Sequence, residues 1–422
     1  MGQYSANERL IASMLSGFPG VKKKVKTVYS YLGYFLSRKN YKEHVNCEAV
    51  STGIEQIGSH VGETFFGYYD KCPENCKGLI AFHRTKWPTR KAPSAEKNIE
   101  IMVRLKDGTE IKAGESYSYT WQQGARVQWL NDDLLAFNVF EEGCYKSCVF
   151  SVEQKKVVKK FKRPVQDSFG TDFLLAINHR RLMSVSPDYG YRNLPLYSKQ
   201  ELDDLEHDGI WMLDYESGEE TLLVTLKDVV NCEHEVLYDH SVHTVNHVML
   251  NKIGDKFIFI HRFYQGKRKV DRLMMYDGKC LKVLVNERMV SHCCWYDNDT
   301  VFGYLRFGGK DGFFFIDVKT GKVRICEELS NLGNGDGHPT CYGKKIVVDT
   351  YPDRSRMQHM IMFDLEKKTV IELLEVFHGL EYMYETRCDM HPRFAADGSG
   401  VYFDSVCKGK RALCRIQLKG NN

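Results

Sequence analysis

The sequence predicts an all-β protein, a seven-bladed β-propeller preceded by a short helical N-terminal arm. One element recurs along most of the 422 residues: an apolar strand, a polar turn and a second strand. A β-sandwich would show turn signals about every 8–12 residues and has no reason to repeat one hairpin at long intervals. A parallel solenoid would show shorter periods than those found here.

The repeated hairpin occurs seven times, at 101–111, 148–158, 210–224, 272–285, 312–325, 359–373 and 412–420. Equivalent anchors at Arg104, Ser151, Asp214, Asp277, Asp317, Asp364 and Gln417 lie 47, 63, 63, 40, 47 and 53 residues apart. A blade of four antiparallel strands with its turns takes about 40–50 residues. The repeats therefore predict seven blades in one domain, which we place at residues 46–420.

Two of these intervals are longer than a blade requires. Their surplus lies in 187–209 and 229–247. Long insertions in a rigid scaffold usually carry binding groups, so we expect both to rim the central channel.

Residues 1–45 differ from the repeats and form the predicted arm. Apolar residues recur at helical spacing, at Leu10, Ile11, Met14, Leu15, Val21, Val25, Val28, Leu32 and Leu36. Lysines at 22, 23, 24 and 26 lie among them, and Pro19 between Gly17 and Gly20 predicts a break into two helices. Two interpretations stay open: an arm packed on the propeller, or a basic amphipathic segment that contacts a membrane surface.

Composition limits the partners and the compartment. A formal net charge of +4 gives no electrostatic case for nucleic acid and slightly favours an anionic partner. The 14 cysteines are scattered singly, and the first residues lack the basic-then-apolar order of an export signal, so we expect a cytoplasmic protein with free thiols. No apolar run approaches the length of a transmembrane helix.

Histidines outside the hairpins recur at comparable points of successive repeats, which lie on one ring around a propeller axis. On this basis His292, His338 and His391, with Cys388, are candidate ligands of a divalent metal, zinc or manganese. The alternative, that each histidine caps a strand or bonds a backbone carbonyl, stays open.

Several strings taken together resemble the signatures of propeller-type polysaccharide lyases, the oligogalacturonate-lyase-like and ulvan-lyase-like families. The strings are FFGYYDKCP (65–73), WQQGARVQWL (121–130), NHVML (246–250), FIFIHRF (257–263), SHCCW (291–295), GDGHP (335–339), DTYPD (349–353) and RCDMHPRF (387–394). They keep their order over residues 62–418, so the resemblance implies the seven-bladed fold for that span.

The resemblance also implies a function: cleavage of an acidic oligo- or polysaccharide by β-elimination at a uronic acid. That chemistry needs groups that neutralise the uronate carboxylate, a base for the C5 proton and an acid for the leaving oxygen. The candidate neutralisers are Gln123, Asn138, Arg192 and Arg262. The candidate bases and acids are His179, His247 and Tyr191, and the histidine ring resembles the divalent-metal site of the family.

Two other function classes stay open. One is a non-catalytic propeller that binds glycan or acts as a scaffold in cell-surface polysaccharide biosynthesis. The other is a different carbohydrate-active enzyme, such as a transferase or a hydrolase. A hydrolase needs two facing carboxylates, whereas Asp336, Asp349 and Asp389 lie beside histidines in metal-type strings.

Overall fold

The strands of the protein form seven separate antiparallel sheets. The structure, a computed structural model, describes residues 19–58, 62–266 and 268–420. Six sheets have four strands and one has five, and each sheet is one blade. The predicted seven-bladed β-propeller with an N-terminal helix is therefore confirmed.

The elements follow one another in a regular order. Before the first blade come helix α1 (Pro19–Ser37) and strands β1 (Glu43–Val45) and β2 (Glu55–Ile57). Blade 1 comprises β3 (Glu63–Phe65), β4 (Ile80–Thr85), β5 (Ile99–Arg104) and β6 (Glu110–Ser116). Blade 2 comprises β7 (Gln128–Trp129), β8 (Leu134–Glu141), β9 (Cys144–Ser151) and β10 (Lys156–Phe161). Blade 3 comprises β11 (Val165–Phe169), β12 (Phe173–Ile177), β13 (Gly209–Asp214) and β14 (Glu220–Thr225).

The remaining blades repeat this plan. Blade 4 comprises β15 (Val242–Leu250), β16 (Phe257–Gln265), β17 (Arg268–Tyr276) and β18 (Leu281–Val285). Blade 5 comprises β19 (Val290–Trp295), β20 (Thr300–Phe307), β21 (Lys310–Asp317) and β22 (Val323–Ile325). Blade 6 comprises β23 (Thr340–Tyr342), β24 (Lys345–Asp349), β25 (Met357–Asp364) and β26 (Thr369–Phe377), and β1 pairs with its outer edge. Blade 7 comprises β27 (Arg393–Phe394), β28 (Gly400–Ser405) and β29 (Ala412–Gln417).

Short helical segments lie in the connections. They are α2 (His179–Val185), α3 (Lys199–Asp203), α4 (Leu226–Asn231) and α5 (Glu327–Ser330), with 3₁₀ turns at Val236–His240 and Tyr384–Thr386. Helix α3 begins inside the first insertion at Ser198, whose side chain accepts a hydrogen bond from the backbone N–H of Glu201.

The first six predicted hairpins are the last two strands along the chain in each of blades 1 to 6. The seventh prediction, a hairpin at 412–420, is wrong: β29 pairs with β2 instead of a strand that follows it. Pairing with β2 covers the edge of β29 and gives blade 7 its fourth strand. It also joins the segment before blade 1 to the last blade, which closes the ring.

The apolar core is distributed between neighbouring blades. Phe65 and Phe82 of blade 1 share one cluster with Phe137 of blade 2 and Leu413 of blade 7. Other clusters join blades 2 and 3, 3 and 4, 4 to 6, and 6 and 7. Each blade therefore packs against the blades on both sides of it. This continuous packing holds the polar residues at the inner ends of the blades in fixed positions.

The N-terminal helix begins at the proline expected to separate two helices. Proline is favoured in the first turn of a helix, where its missing N–H has no intrahelical partner to lose. The predicted helix before Pro19 falls outside the described residues. Helix α1 contacts the propeller through Thr27, whose hydroxyl lies 2.9 Å from that of Tyr384, and through Tyr34, whose ring centroid lies 5.5 Å from that of Phe377. Within the described ranges, no helix is both long and apolar enough to cross a membrane.

Candidate metal centre and cavity

A cavity of about 750 Å³ lies where blades 4 to 7, the first insertion and α1 meet. Blade 4 contributes His247, Arg262, Tyr264 and Lys269, and blade 5 contributes Ser291 and His292. Asp336 lies in the segment before blade 6, and Tyr351–Arg354 and Arg356 lie between strands β24 and β25 of that blade. Arg387 precedes blade 7, Asp188 and Tyr189 belong to the first insertion, and Tyr29, Ser30 and Gly33 belong to α1. The first insertion therefore reaches the cavity, as expected.

Basic side chains outnumber acidic ones in this lining. Five basic residues, Arg262, Lys269, Arg354, Arg356 and Arg387, stand against three acidic ones, Asp188, Asp336 and Asp353. Four tyrosines, at 29, 189, 264 and 351, add flat faces with polar ends. This combination suits an anionic ligand with ring faces, such as an acidic sugar.

Three buried side chains next to the cavity form a group that could hold a metal ion. One ligand atom from each of His338, Asp389 and His391 lies within 4.8 Å of the others. Two imidazoles and a carboxylate are a donor set that suits zinc, manganese and related divalent ions.

The two histidines of this group are oriented by Asp349 and Gly67. Asp349 accepts hydrogen bonds from the backbone N–H of His338 (2.7 Å) and of His391 (3.0 Å), and its oxygens lie 2.9 and 3.0 Å from His338 Nδ1. His391 Nδ1 donates to the carbonyl of Gly67 at 2.7 Å. Both rings therefore commit Nδ1 to an oxygen acceptor, and Nε2 of each is the nitrogen that remains for a metal.

The donor set fits a metal in one further respect. Nε2 of His391 is buried and has no hydrogen-bond partner among the described residues. A buried ring nitrogen without a partner costs free energy unless a ligand satisfies it. His391 also has a φ of 47°, a left-handed backbone conformation that is uncommon for such a residue and clusters at functional sites.

Asp389 and His292 connect the metal group to the cavity. Arg387, which lines the cavity, donates to both Asp389 oxygens at 2.5 and 2.7 Å. Burial alone would raise the pKa of Asp389, but the Arg387 guanidinium more than offsets it, and the net pKa is lowered, so the carboxylate stays ionised. The ring of His292, also in the lining, lies 4.0 Å from that of His338 between centroids. The metal group thus lies directly behind the cavity wall.

Cys388 does not join the group that it was predicted to complete. Its side chain packs with Tyr382 and Val406 in a separate buried cluster, and burial raises the pKa of the Cys388 thiol to about 12. Because the thiolate is the form that binds a metal, a thiol held in its protonated state is a poor ligand. Asp389, one residue later, takes the place that was predicted for Cys388.

His247 lines the cavity from an irregular point of strand β15. The pairing of β15 with β16 shifts register between Asn246 and Met249, and His247 has a φ of 55°. Such a bulge re-aims a side chain that a regular strand would direct elsewhere. The ring stacks on Tyr68 with centroids 5.0 Å apart, and its Nδ1 is buried with no partner in the described part of the chain. Burial and the nearby Arg262 keep the pKa of His247 below its usual range, so the ring is neutral at neutral pH.

Arg262 and Tyr189 flank His247. Arg262 is buried and donates to Asp271 at 2.7 Å and to the Ser186 hydroxyl at 3.3 Å, which fixes its guanidinium at the wall. Tyr189 meets the His247 ring edge to face at 5.0 Å, and burial raises the pKa of its phenol to about 12. The structure therefore brings together five of the predicted site residues: His247, Arg262 and His292 at the cavity wall, and His338 and His391 behind it.

Tyr191, His179 and Asn138 form a different buried cluster, away from the cavity lining. Asn138 Nδ2 donates to the Tyr191 hydroxyl at 2.8 Å, and the Tyr191 ring stacks on His179 at 4.0 Å. Burial raises the pKa of Tyr191, so its phenol keeps its proton at neutral pH. The first insertion packs this tyrosine completely, which contradicts its predicted role in proton transfer.

Gln123 and Arg192 also lie outside the lining. Gln123 is buried against the FFGYY segment: a Cβ on Gly67 would come within 2.7 Å of the Gln123 carbonyl carbon. Arg192 pairs with Glu385 at 3.0 Å. Their predicted roles as carboxylate neutralisers therefore do not agree with the geometry.

Sequence reasoning missed residues that the structure places at the site: Asp389, Arg387, Tyr189, Lys269 and Tyr351. The spacing of residues in the sequence did point to Asp389. Residues two apart in an extended segment face the same side, so Asp389 with His391 was a better pair than Cys388 with His391. Arg387 and Tyr351 lie in strings that the sequence singled out, but nothing local distinguished them from their neighbours.

Comparison with known proteins supports the fold. No protein-family model and no curated sequence matches the chain. Among solved structures, an oligogalacturonate lyase in complex with manganese superposes with a TM-score of 0.59 at 14% identity, covering 91% of this chain and 97% of that one. An oligogalacturonate lyase from Vibrio parahaemolyticus gives 0.59 at 13% identity, with 90% and 97% covered.

At such identities the likeness concerns the fold. The resemblance read from the sequence strings is confirmed at that level: this chain has the seven-bladed propeller fold of the oligogalacturonate lyases.

Proposed function

We propose that the protein is a metal-dependent lyase that cleaves an acidic oligosaccharide by β-elimination at a uronic acid. The observation that carries the proposal is one arrangement. A neutral imidazole, with a ring nitrogen that has no partner among the described residues, lines a basic cavity, and the three-residue metal group lies directly behind its wall. The fold shared with oligogalacturonate lyases supports the same substrate class.

The basic residues account for binding of the substrate. In β-elimination the C5 proton becomes acidic only when the adjacent carboxylate is neutralised. Arg262, Arg387 and Lys269 offer donors at the cavity wall, and the first two are fixed by Asp271 and Asp389. Guanidinium groups fixed in this way bind a carboxylate without having to be reorganised.

His247 serves as the base. Nε2 of His247 lies 3.4 Å from both the Tyr68 hydroxyl and the Asn246 amide nitrogen. In the tautomer that donates from Nε2 to the Tyr68 oxygen, Nδ1 accepts the C5 proton. The electron pair of the C5–H bond then forms the C4–C5 double bond as the C4–O bond breaks. A pKa below the usual range keeps His247 unprotonated and ready to act at neutral pH.

Tyr189 serves as the acid for the leaving oxygen. Its phenol, with a pKa raised to about 12, keeps its proton at neutral pH, and its ring adjoins that of His247. A proton donor next to the base completes the proton balance of the elimination: one proton leaves C5 and one arrives at the leaving oxygen.

His338, Asp389 and His391 would hold the divalent metal. When bound, such an ion supplies a positive charge that helps to neutralise the uronate carboxylate. The manganese in one structural relative favours manganese, and zinc remains the other candidate. A cytoplasmic location, which suits a lyase for imported oligosaccharides, stays a prediction.

The test is absorbance of the unsaturated uronate that only a lyase generates. Purified protein with added Mn²⁺ or Zn²⁺ is incubated with a panel of acidic oligosaccharides that includes oligogalacturonate. We expect the chromophore to appear, to be lost with a chelator, and to fall about 100-fold or more in His247→Gln.

Tyr191→Phe is the control, because Tyr191 is buried outside the cavity and should leave turnover within a few-fold of the original. Glycan binding without chromophore at any metal would contradict the lyase proposal and favour the non-catalytic binding propeller.

A further inference from the structure

Helix α1 carries its apolar stripe on the side that faces away from the protein. Thr27, Gly33 and Tyr34 are among the residues that contact the propeller. On the opposite side Leu32, Phe35 and Leu36 are 57%, 60% and 86% exposed. Val25 and Val28 continue the same stripe, since positions 25, 28, 32, 35 and 36 lie within one helical face.

A helix that only packs on a domain shows the reverse arrangement, with its apolar face buried. Five large apolar residues on one exposed stripe form the kind of contiguous patch that marks an interaction surface. We call these residues, Val25, Val28, Leu32, Phe35 and Leu36, the outer stripe.

The charge around the outer stripe has one sign. From residue 19 to residue 42 the sequence has basic residues at 22–24, 26, 38, 39 and 42 and no acidic residue. Lys24, Arg38 and Lys42 are exposed. Apolar side chains flanked by exposed cations are what a helix needs to lie in the headgroup region of an anionic bilayer.

We infer that the outer stripe of α1 docks the protein on an anionic membrane surface. The helix lies in the plane of the surface, with the stripe among the acyl chains and the cations at the headgroups. This inference is independent of the proposed lyase chemistry, since it concerns a surface that none of the site residues uses.

A second copy of the chain fits the outer stripe less well. Pairing two stripes would bring two all-basic segments together, and like charges at close range oppose association. A lipid surface with negative headgroups supplies the complementary charge.

Docking has a consequence for the cavity. Tyr29, Ser30 and Gly33 of the same helix line it, so docking through the outer stripe holds the cavity close to the lipid surface. A substrate presented at a membrane would be brought to the cavity in this orientation.

The experiment is sedimentation of the full-length protein with vesicles of phosphatidylcholine alone or with about one third phosphatidylglycerol. We expect binding to the anionic vesicles only, weakened by high salt because exposed charges are screened. The triple variant Leu32→Ser, Phe35→Ser, Leu36→Ser should lose binding at least tenfold.

Matched control substitutions are Leu196→Ser, Val236→Ser and Ile253→Ser, which are 59%, 75% and 53% exposed at other places on the surface. This control should bind as the original protein does, and both variants should keep their melting temperature.

Unchanged binding of the α1 variant, or absence of binding to anionic vesicles, overturns the inference. Loss of binding on deletion of residues 1–18 alone would transfer the role to that segment and also overturns it. A dimer that the α1 variant dissociates would show that a second copy is the occupant.

Discussion

At the scale of single residues, the partners of each imidazole nitrogen decide what a histidine can do. His338 and His391 commit Nδ1 to Asp349 and to the Gly67 carbonyl, which leaves Nε2 of each ring as the nitrogen that could bind a metal. His247 leaves Nδ1 without a partner among the described residues, which suits a base. His359 lies among carboxylates and is a cation that contributes to stability.

His359 gives a prediction about pH. Burial alone would lower the pKa of His359, but Asp353 and Glu372 raise it to about 9, above the value of about 6.5 expected when unfolded. A carboxylate oxygen of Glu375 lies 3.8 Å from His359 Nδ1, and the same carboxylate accepts hydrogen bonds from Lys39 and Tyr41. Because the pKa of His359 is higher in the folded than in the unfolded protein, its protonation stabilises the fold. This contribution is fully present below pH ~6.5 and is lost as the pH rises through ~9.

The measurement compares the melting temperature of the original protein with that of His359→Gln from pH 6 to pH 10. The original should be more stable at pH 6 by roughly 1–2 kcal/mol, allowing for the partial exposure of the pairs. The difference should shrink towards pH 10. A difference that does not change with pH would contradict the assignment.

Tyr191 gives a second prediction at this scale. Tyr191→Phe removes the hydroxyl that accepts a hydrogen bond from Asn138 in a fully buried site. We expect the free energy of unfolding to fall by about 1 kcal/mol or somewhat more. Denaturant unfolding measures this change, and turnover should stay within a few-fold; a 100-fold loss of turnover would return Tyr191 to the reaction.

At the scale of elements, strand pairing decides which segments of the chain are required to close the ring of blades. The first six hairpins contain both of their strands locally, so their sequence patterns were sufficient to locate them. Strand β29 instead depends on β2, more than 350 residues earlier in the chain, as the pairing of Gln56 with Cys414 shows.

Truncation tests this dependence. Removing residues 1–42 deletes α1 but keeps β1 and β2, and we expect the propeller to stay folded with a melting temperature within a few degrees. Removing residues 1–58 also deletes β1 and β2 and leaves the edges of β26 and β29 unpaired, which favours opening of the ring and aggregation. Thermal unfolding and size-exclusion chromatography distinguish the two, and equal stability of both truncations would contradict a closing role for β2.

At the scale of the whole molecule, the metal group links separate blades. His338 precedes blade 6, whereas Asp389 and His391 precede blade 7. Buried contacts continue this link to blade 1, because Arg393 donates to the Tyr68 carbonyl and pairs with Asp404, whose oxygens accept from the N–H groups of Phe66 and Gly67. A metal bound here joins the two blades on either side of one interface.

Metal should therefore stabilise the folded ring. At a metal concentration 100 times the dissociation constant, linkage adds about 2.7 kcal/mol, or about 3 °C in melting temperature for a chain of this size. Calorimetry with and without Mn²⁺ or Zn²⁺ measures the shift. His391→Ala should abolish it and remove about one equivalent of bound metal, whereas Cys388→Ser should retain both; the reverse pattern would restore Cys388 as the ligand.

The sequence by itself determined the blade number, the hairpins of blades 1 to 6 and several of the strings that line the cavity. The blades and their hairpins follow from local alternation of apolar and polar residues, which each segment displays on its own. Only the tertiary structure decided that β2 closes the ring, that Asp389 replaces Cys388, and that Tyr191 is buried while Tyr189 reaches the cavity. Such choices between neighbouring residues depend on backbone direction at irregular points, as at His247 and His391, and on contacts between segments hundreds of residues apart, which no local pattern encodes.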